Sequence, residues 1–254
     1  MTLLSVNVNK VAVLRNSRGG RFPDVVQAAK TALLAGCDGI TVHPRPDLRH
    51  IHPVDCAAIR LLLNSAEFQG REFNIEGNPF APANTSYPGL LTIIEQTRPE
   101  QVTLVPDSDT QITSDHGWRI GENAARLSAM IKAIRILGAR VSLFVDDDIE
   151  QAELRLARDL GAERIEIYTG PFASDFETGK ANEALARCAR TSSRACALGL
   201  GVNAGHDLSQ NNLAALLAEA PGISEVSIGH ALFNDALYSG LDCAVRAYQK
   251  IIQA

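Results

Sequence analysis

The sequence predicts an α/β protein, a single-domain (β/α)8 barrel spanning residues 1–254. Three observations carry that expectation: a recurring helix–glycine–strand unit, a count of eight strand-like segments, and a division of those strands into one apolar and one polar parity. The unit is visible in "LLAGCDGITVH", "ILGARVSLFVD", "DLGAERIEIYTG" and "ALGLGVNAGH". In each, a helix-like stretch meets a glycine, then a short strand, then a polar loop. Glycine suits the position just past a helix because it takes the left-handed conformation without steric cost. Pro23 and Asp24 open one helix with Val25, Ala28, Ala29, Ala32 and Leu33 on one face. A second runs from about Ile120 with Ala124, Leu127, Ile131 and Ile134 at three-four spacing, and the last carries Leu241, Ala244, Val245, Tyr248 and Ile252.

The strand-like segments are LLSVNV, GITVH, EFNIE, QVTLV, RVSLFV, RIEIY, LGVNA and EVSIG. Strands alternating with helices imply parallel pairing with right-handed crossovers, and eight such units close into a barrel. An open doubly wound sheet is the alternative the same alternation allows. Within the strands, Val6 and Val8, Ile40 and Val42, Val102 and Leu104, Leu143 and Val145, Ile165 and Ile167, and Val226 and Ile228 share the apolar parity. Asn7, Thr41, His43, Asn74, Glu76, Thr103, Ser142, Glu166, Asn203 and Ser227 share the polar one. Successive side chains point to opposite faces. The apolar set therefore faces the helices and the polar set faces the barrel interior, as a satisfied network or as the floor of a pocket. Clustering toward strand ends favours the pocket.

At 254 residues and 46% hydrophobic, the chain has enough material for one large core. A net charge of -5 argues against nucleic acid or an anionic membrane as partner. No apolar run reaches membrane-spanning length. Met1 leads almost directly into "LLSVNV", with no basic region or small-residue cleavage site, so no signal peptide is expected. The five cysteines are odd in number and form no C-x-x-C pair, which reads as reduced thiols in a cytoplasmic protein and gives no sign of zinc.

In a barrel, chemistry belongs to the C-terminal strand ends and the loops after them. "GITVHPRPDLRHI" puts His43 at a strand end with Arg45, Arg49 and His50 just beyond, an acid-base group beside an anion site. "NIEGN" puts Glu76 at the next strand end, where partial desolvation makes a carboxylate a base. The plainer reading of Glu76 is a partner for a loop arginine. "NAGHDL" and "IGHAL" follow strands 7 and 8, the usual barrel phosphate site, and with "LRNSRGGR" they describe one or two phosphorylated small-molecule substrates. No metal-ligand spacing appears. Lys10 is the nearest candidate for an amine at a strand end.

Taken in order, "VNVNKVAVLRNSRGG", "GITVHPRPDLRHI", "NIEGN", "VSLFVD", "EIYTG", "VNAGH" and "IGHALF" resemble the pyridoxine 5'-phosphate synthase family over nearly the whole chain. The resemblance implies a (β/α)8 barrel assembled as a homo-octamer, with no organic cofactor and no catalytic metal. The reaction it implies condenses 3-amino-2-oxopropyl phosphate with 1-deoxy-D-xylulose 5-phosphate, releasing phosphate and water. It assigns proton acceptance to His43 and Glu76 and proton donation to His206. It places the amino-ketone phosphate at Asn7, Arg18, Gly229 and His230, and the pentulose phosphate at Arg45, His50 and Thr113. The long "PDSDTQITSDHGW" segment becomes a lid that shuts out water.

The chain departs from the family pattern at Asn9 and Lys10, where Asp-His is usual, at Asp207, where Gly is usual, and at Tyr168, where His is usual. All touch substrate binding, and Asp207 is expected to turn outward and cap the helix begun in "DLSQNNLAALL". Two other functions stay open at this level: a related barrel enzyme with a changed sugar-phosphate substrate, and a non-catalytic barrel that binds a phosphorylated metabolite.

Overall fold

The computed structural model describes residues 2–108 and 110–254. Eight parallel strands close on themselves in chain order. They are β1 (Leu3–Asn7), β2 (Gly39–Val42), β3 (Glu72–Gly77), β4 (Gln101–Leu104), β5 (Arg140–Val145), β6 (Arg164–Tyr168), β7 (Gly201–Gly205) and β8 (Ile223–Ile228). β8 pairs back onto β1, with Leu4 opposite Val226. A barrel closed this way leaves no exposed sheet edge. Helices between the strands form the outer ring. The closed barrel expected from the sequence is present, and the open sheet is excluded.

The glycine stops act as the repeat predicts. Gly36, Gly138, Gly161 and Gly199 all have positive φ, between 79° and 107°, so each helix turns into its strand through a backbone that other residues enter at a cost. The helix Val25–Leu34 begins at Asp24, whose carboxylate accepts from the backbone N–H of Val26 (2.8 Å) and Gln27 (3.0 Å). The helix Ile120–Ile136 is capped from outside itself: Glu153, on the helix Gln151–Asp159, accepts from the N–H of Ile120 (2.5 Å) and Gly121.

The two strand parities separate as expected. Val6, Ile40, Val42, Val102, Leu104, Leu143, Val145, Ile165, Ile167 and Val226 are fully buried between sheet and helices, each contributing roughly 1.5–3 kcal/mol by leaving water. The polar parity meets inside the barrel. Ser5 and Thr41 hydroxyls lie 2.7 Å apart, Asn74 Nδ2 donates to Thr41 (3.3 Å), and Thr103 Oγ1 reaches Asn74 (3.2 Å) and Glu166 (3.4 Å). This ring of hydrogen bonds across β1, β2, β3, β4 and β6 supports the site above it. Among the described residues, no helix is long and apolar enough to cross a membrane.

Candidate active site

The C-terminal ends of the strands open into a cavity of about 310 Å³. Its wall includes Asn7, Asn9, Lys10, His43, Arg45, His50, Glu76, Thr113, His206, Asp207, Gly229 and His230. Thus every site residue expected from the sequence converges on one cavity, with Arg18 as the exception. Arg18 lies beyond the end of the helix Asn9–Asn16, exposed and outside the cavity.

His43 and Glu76 stand together on the floor. His43 Nδ1 is 3.6 Å from Glu76 Oε2, with His43 buried and Glu76 mostly so. Desolvation, followed by the nearby Arg45 guanidinium, lowers the His43 pKa to about 3, so its imidazole is neutral at working pH. Desolvation raises the Glu76 pKa well above the usual carboxylate range, and the charges of Glu166 and Asp107 add to the effect. Glu76 Oε2 accepts from Asn7 Nδ2 (3.3 Å), and Asn7 Oδ1 in turn accepts from the Asn9 N–H (3.0 Å). Asn9 Oδ1 accepts from the backbone N–H of His43 (2.9 Å). An amide at position 9 therefore still positions the base, although it carries no charge. Two adjacent groups that both favour being neutral suit proton shuttling better than fixed ion pairing.

Two acidic residues in this region escape sequence reasoning. Glu166 belongs to the inward polar parity expected to floor a pocket, but the sequence assigns it no role of its own. It lines the cavity, and burial lifts its pKa to about 7, so it titrates beside Glu76. Asp107 carries no sequence signal of its own. It follows β4 in a segment crowded with acids, and its carboxylate reaches both Arg45 Nη1 and His43 Nε2, the latter at 3.3 Å.

Across the cavity, His206 sits in a backbone of positive φ (85°), as does Asp207 (57°). Thr169 Oγ1 clamps the turn by donating to the carbonyls of Gly205 (2.7 Å) and His206 (2.6 Å). The His206 ring meets the edge of Tyr168, with centroids 5.0 Å apart. Its Nε2 lies 2.8 Å from Thr113 Oγ1 and its Nδ1 lies 2.8 Å from Asp207 Oδ2. The expectation that Asp207 turns outward is therefore corrected. Its carboxylate faces the cavity, and the hydrogen bond to His206, aided by the charges of His206, His230 and Lys10, lowers its pKa. The left-handed backbone is the cause, because it delays the next helix until Leu213 and gives the cap position to Asn212.

Two features suit phosphate. Gly229 packs so closely on β1 that an added Cβ would lie 3.0 Å from the Asn7 carbonyl oxygen, and the helix His230–Ser239 starts right after it. That brings backbone N–H groups and a helix N-terminus to the cavity. Opposite, Arg45 is buried with its Nε lacking a hydrogen-bond partner. Residues 106–108 and 110–118 cover this side. Asn78 Nδ2 holds the Asp107 carbonyl (2.6 Å) and Trp118 Nε1 holds the Leu104 carbonyl (2.8 Å) at their roots. Arg49 Nη1 donates to the carbonyls of Gln111 (2.6 Å) and Ile112 (3.0 Å) at their tip. Among the described residues, no group of three or more His, Cys, Asp or Glu side chains is arranged to hold a metal ion.

Similar proteins identify the family. A relative from Xanthomonas axonopodis pv. citri (strain 306), named pyridoxine 5'-phosphate synthase, is 57% identical and covers 100% of this chain and 97% of its own. One of the same name from Xylella fastidiosa (strain 9a5c) is 51% identical, covering 100% and 95%. Among solved structures, the tryptophan synthase alpha subunit of Legionella pneumophila str. Paris superposes with a TM-score of 0.65 at 12% identity, over 99% of this chain and 93% of that one. Identity that low speaks for the barrel alone. The family model described as "Pyridoxal phosphate biosynthesis protein PdxJ" matches residues 4–254, and the chain belongs to that family.

Proposed function

We propose that this chain is a pyridoxine 5'-phosphate synthase, which joins 3-amino-2-oxopropyl phosphate to 1-deoxy-D-xylulose 5-phosphate and releases phosphate and water. The observation that carries the reading is the pairing of neutral His43 with Glu76, 3.6 Å apart on one side of the cavity, facing His206 on the other. Imine formation, phosphate elimination, hydration and ring closure are all proton transfers, which need acceptors and a donor at fixed positions. In this reading His43 and Glu76 accept protons and His206 donates one. Asn7, Gly229 and His230 hold the amino-ketone phosphate; Arg18, outside the cavity, takes no part in this reading. Arg45, His50 and Thr113 hold the pentulose phosphate, and Asn9, Lys10 and Asp207 border the sugar. The assembly is a cytoplasmic homo-octamer. Exposed Leu14, Phe22, Leu237 and Tyr238 support burial between subunits, which sedimentation of the purified protein tests.

The decisive experiment mixes purified protein with both substrates and seeks pyridoxine 5'-phosphate by mass spectrometry. Its appearance with turnover is expected. Ligand-induced thermal stabilisation without product would favour a binding protein. A second reading rests on Asp207, whose carboxylate in the cavity favours a different sugar phosphate. Product formed with another pentulose or hexulose phosphate, and not with the first, would establish it.

A further inference from the structure

Asp107 links two parts of the site that the assigned roles treat separately. Its carbonyl is fixed by Asn78 (2.6 Å), and its side chain is buried. A single oxygen, Oδ2, meets both Arg45 Nη1 and His43 Nε2, the latter at 3.3 Å. On the far side of the ring, Nδ1 is 3.6 Å from Glu76, and the His43 backbone N–H is held by Asn9 (2.9 Å). Held at its main chain and flanked by a carboxylate on each ring nitrogen, His43 has little room to turn.

A carboxylate at Nε2 favours the tautomer with the proton on Nε2 and leaves the Nδ1 lone pair facing Glu76. It also supplies the negative charge that a buried imidazole needs if it is to take up a proton, the role of the aspartate in Ser-His-Asp triads. Here that charge is shared with Arg45. Arg45 has a second edge, where Nη2 donates to the Ser108 carbonyl and Nε, 3.9 Å from Asp47 Oδ1, makes no hydrogen bond. A phosphate oxygen arriving at Nε draws on the guanidinium charge and leaves more of the Asp107 charge for His43.

We propose that Asp107 is a positioning residue that fixes the tautomer of His43 and ties its basicity to phosphate occupancy at Arg45. The charged and titratable groups acting on His43 are Arg45, Asp47, Arg49, His50, Glu76 and Asp107. Phosphate at Arg45 changes the balance between the first and the last of these. The inference rests on the synthase reading for the role of His43, but its first test does not require turnover.

In wild-type protein, nitrogen NMR of His43, assigned by its loss in His43→Gln, should show the proton on Nε2. Adding inorganic phosphate should move both ring nitrogens toward the imidazolium pattern. A proton on Nδ1, or no response to saturating phosphate, would overturn the proposal whether or not the protein makes product. Kinetically, Asp107→Asn should lower kcat by roughly 10²–10⁴-fold with KM for the pentulose phosphate unchanged or reduced. Asp107→Glu should restore most of the rate. A change in KM alone would reduce Asp107 to a counter-ion of Arg45. Absence of product from the wild-type protein would instead strike the synthase reading and leave the tautomer measurement standing.

Discussion

The barrel interior is polar at both ends, yet the two ends use their polar groups differently. At the N-terminal end, opposite charges meet each other. Arg140 reaches Glu72 (2.6 Å) and Gln101 (3.3 Å), and Arg164 reaches Asn203 (2.7 Å) and Glu225 (3.5 Å). Gln101 and Asn203 both point amides at Glu225. At the C-terminal end Arg45 also meets Asp107, but the remaining groups turn to the cavity. Glu76 has one neutral donor and Lys10 stands exposed. The first arrangement plugs a barrel, and the second keeps capacity for a ligand. Inward polar parity therefore reveals direction, and only the pairing of the groups reveals purpose.

The sharpest way to separate the two ends is Glu76→Gln. It should lower turnover by roughly two to four powers of ten, while thermal unfolding stays close to wild type. A variant with near-wild-type rate would remove Glu76 from the chemistry.

Arg164→Leu is the counterpart at the other end. It takes the nearest cation from buried Glu225, at a cost of about 1–3 kcal/mol for a polar group left underpaired. Urea denaturation should show that loss, and kcat should hold. A slower enzyme of unchanged stability would mean that the lower layer shapes the site after all.

Asp207→Gly tests a residue at the rim. Glycine relaxes a backbone held at φ 57° and removes a carboxylate from the cavity. KM for a phosphorylated substrate should fall several-fold, matching a like-charge repulsion of about 1 kcal/mol. Stability should move little, since the strain relieved offsets the lost hydrogen bond to His206. Unchanged KM for both substrates would show that the carboxylate is no obstacle to them.

The smallest effect concerns pH. Burial, reinforced by Glu72, raises the Glu225 pKa from an ordinary 4.5 to about 8. The folded state thus binds a proton that the unfolded chain has released. That contribution is fully present below pH 4.5 and is lost as pH rises through 8. Glu225→Gln lacks this loss, so its melting temperature should gain on wild type between pH 5 and pH 8. A constant gap would mean that Arg164 keeps Glu225 charged throughout.

Much of this was legible in the chain. Glycine after a helical stretch marked four helix-to-strand turns, and strand parity sorted core from interior, because both follow from local geometry. His43, Glu76 and His206 were readable because strand ends in a barrel converge. Three features were not. Asp107 meets His43 across 64 positions, through a loop with no periodicity to orient it. The turn at His206 and Asp207 is left-handed without glycine, and histidine and aspartate take that conformation too seldom to announce it. Arg18 had the right motif, but its loop leaves it outside the cavity.

The grip of Arg49 on the covering segment has an evolutionary consequence. It holds the carbonyl oxygens of Gln111 and Ile112, atoms that every amino acid carries. Ile112 itself is 93% exposed. The side chain at the tip can therefore drift while the hold persists, and selection acts on the arginine below and on the path of the main chain above it. Related sequences should vary freely at position 112 and keep the cation at position 49.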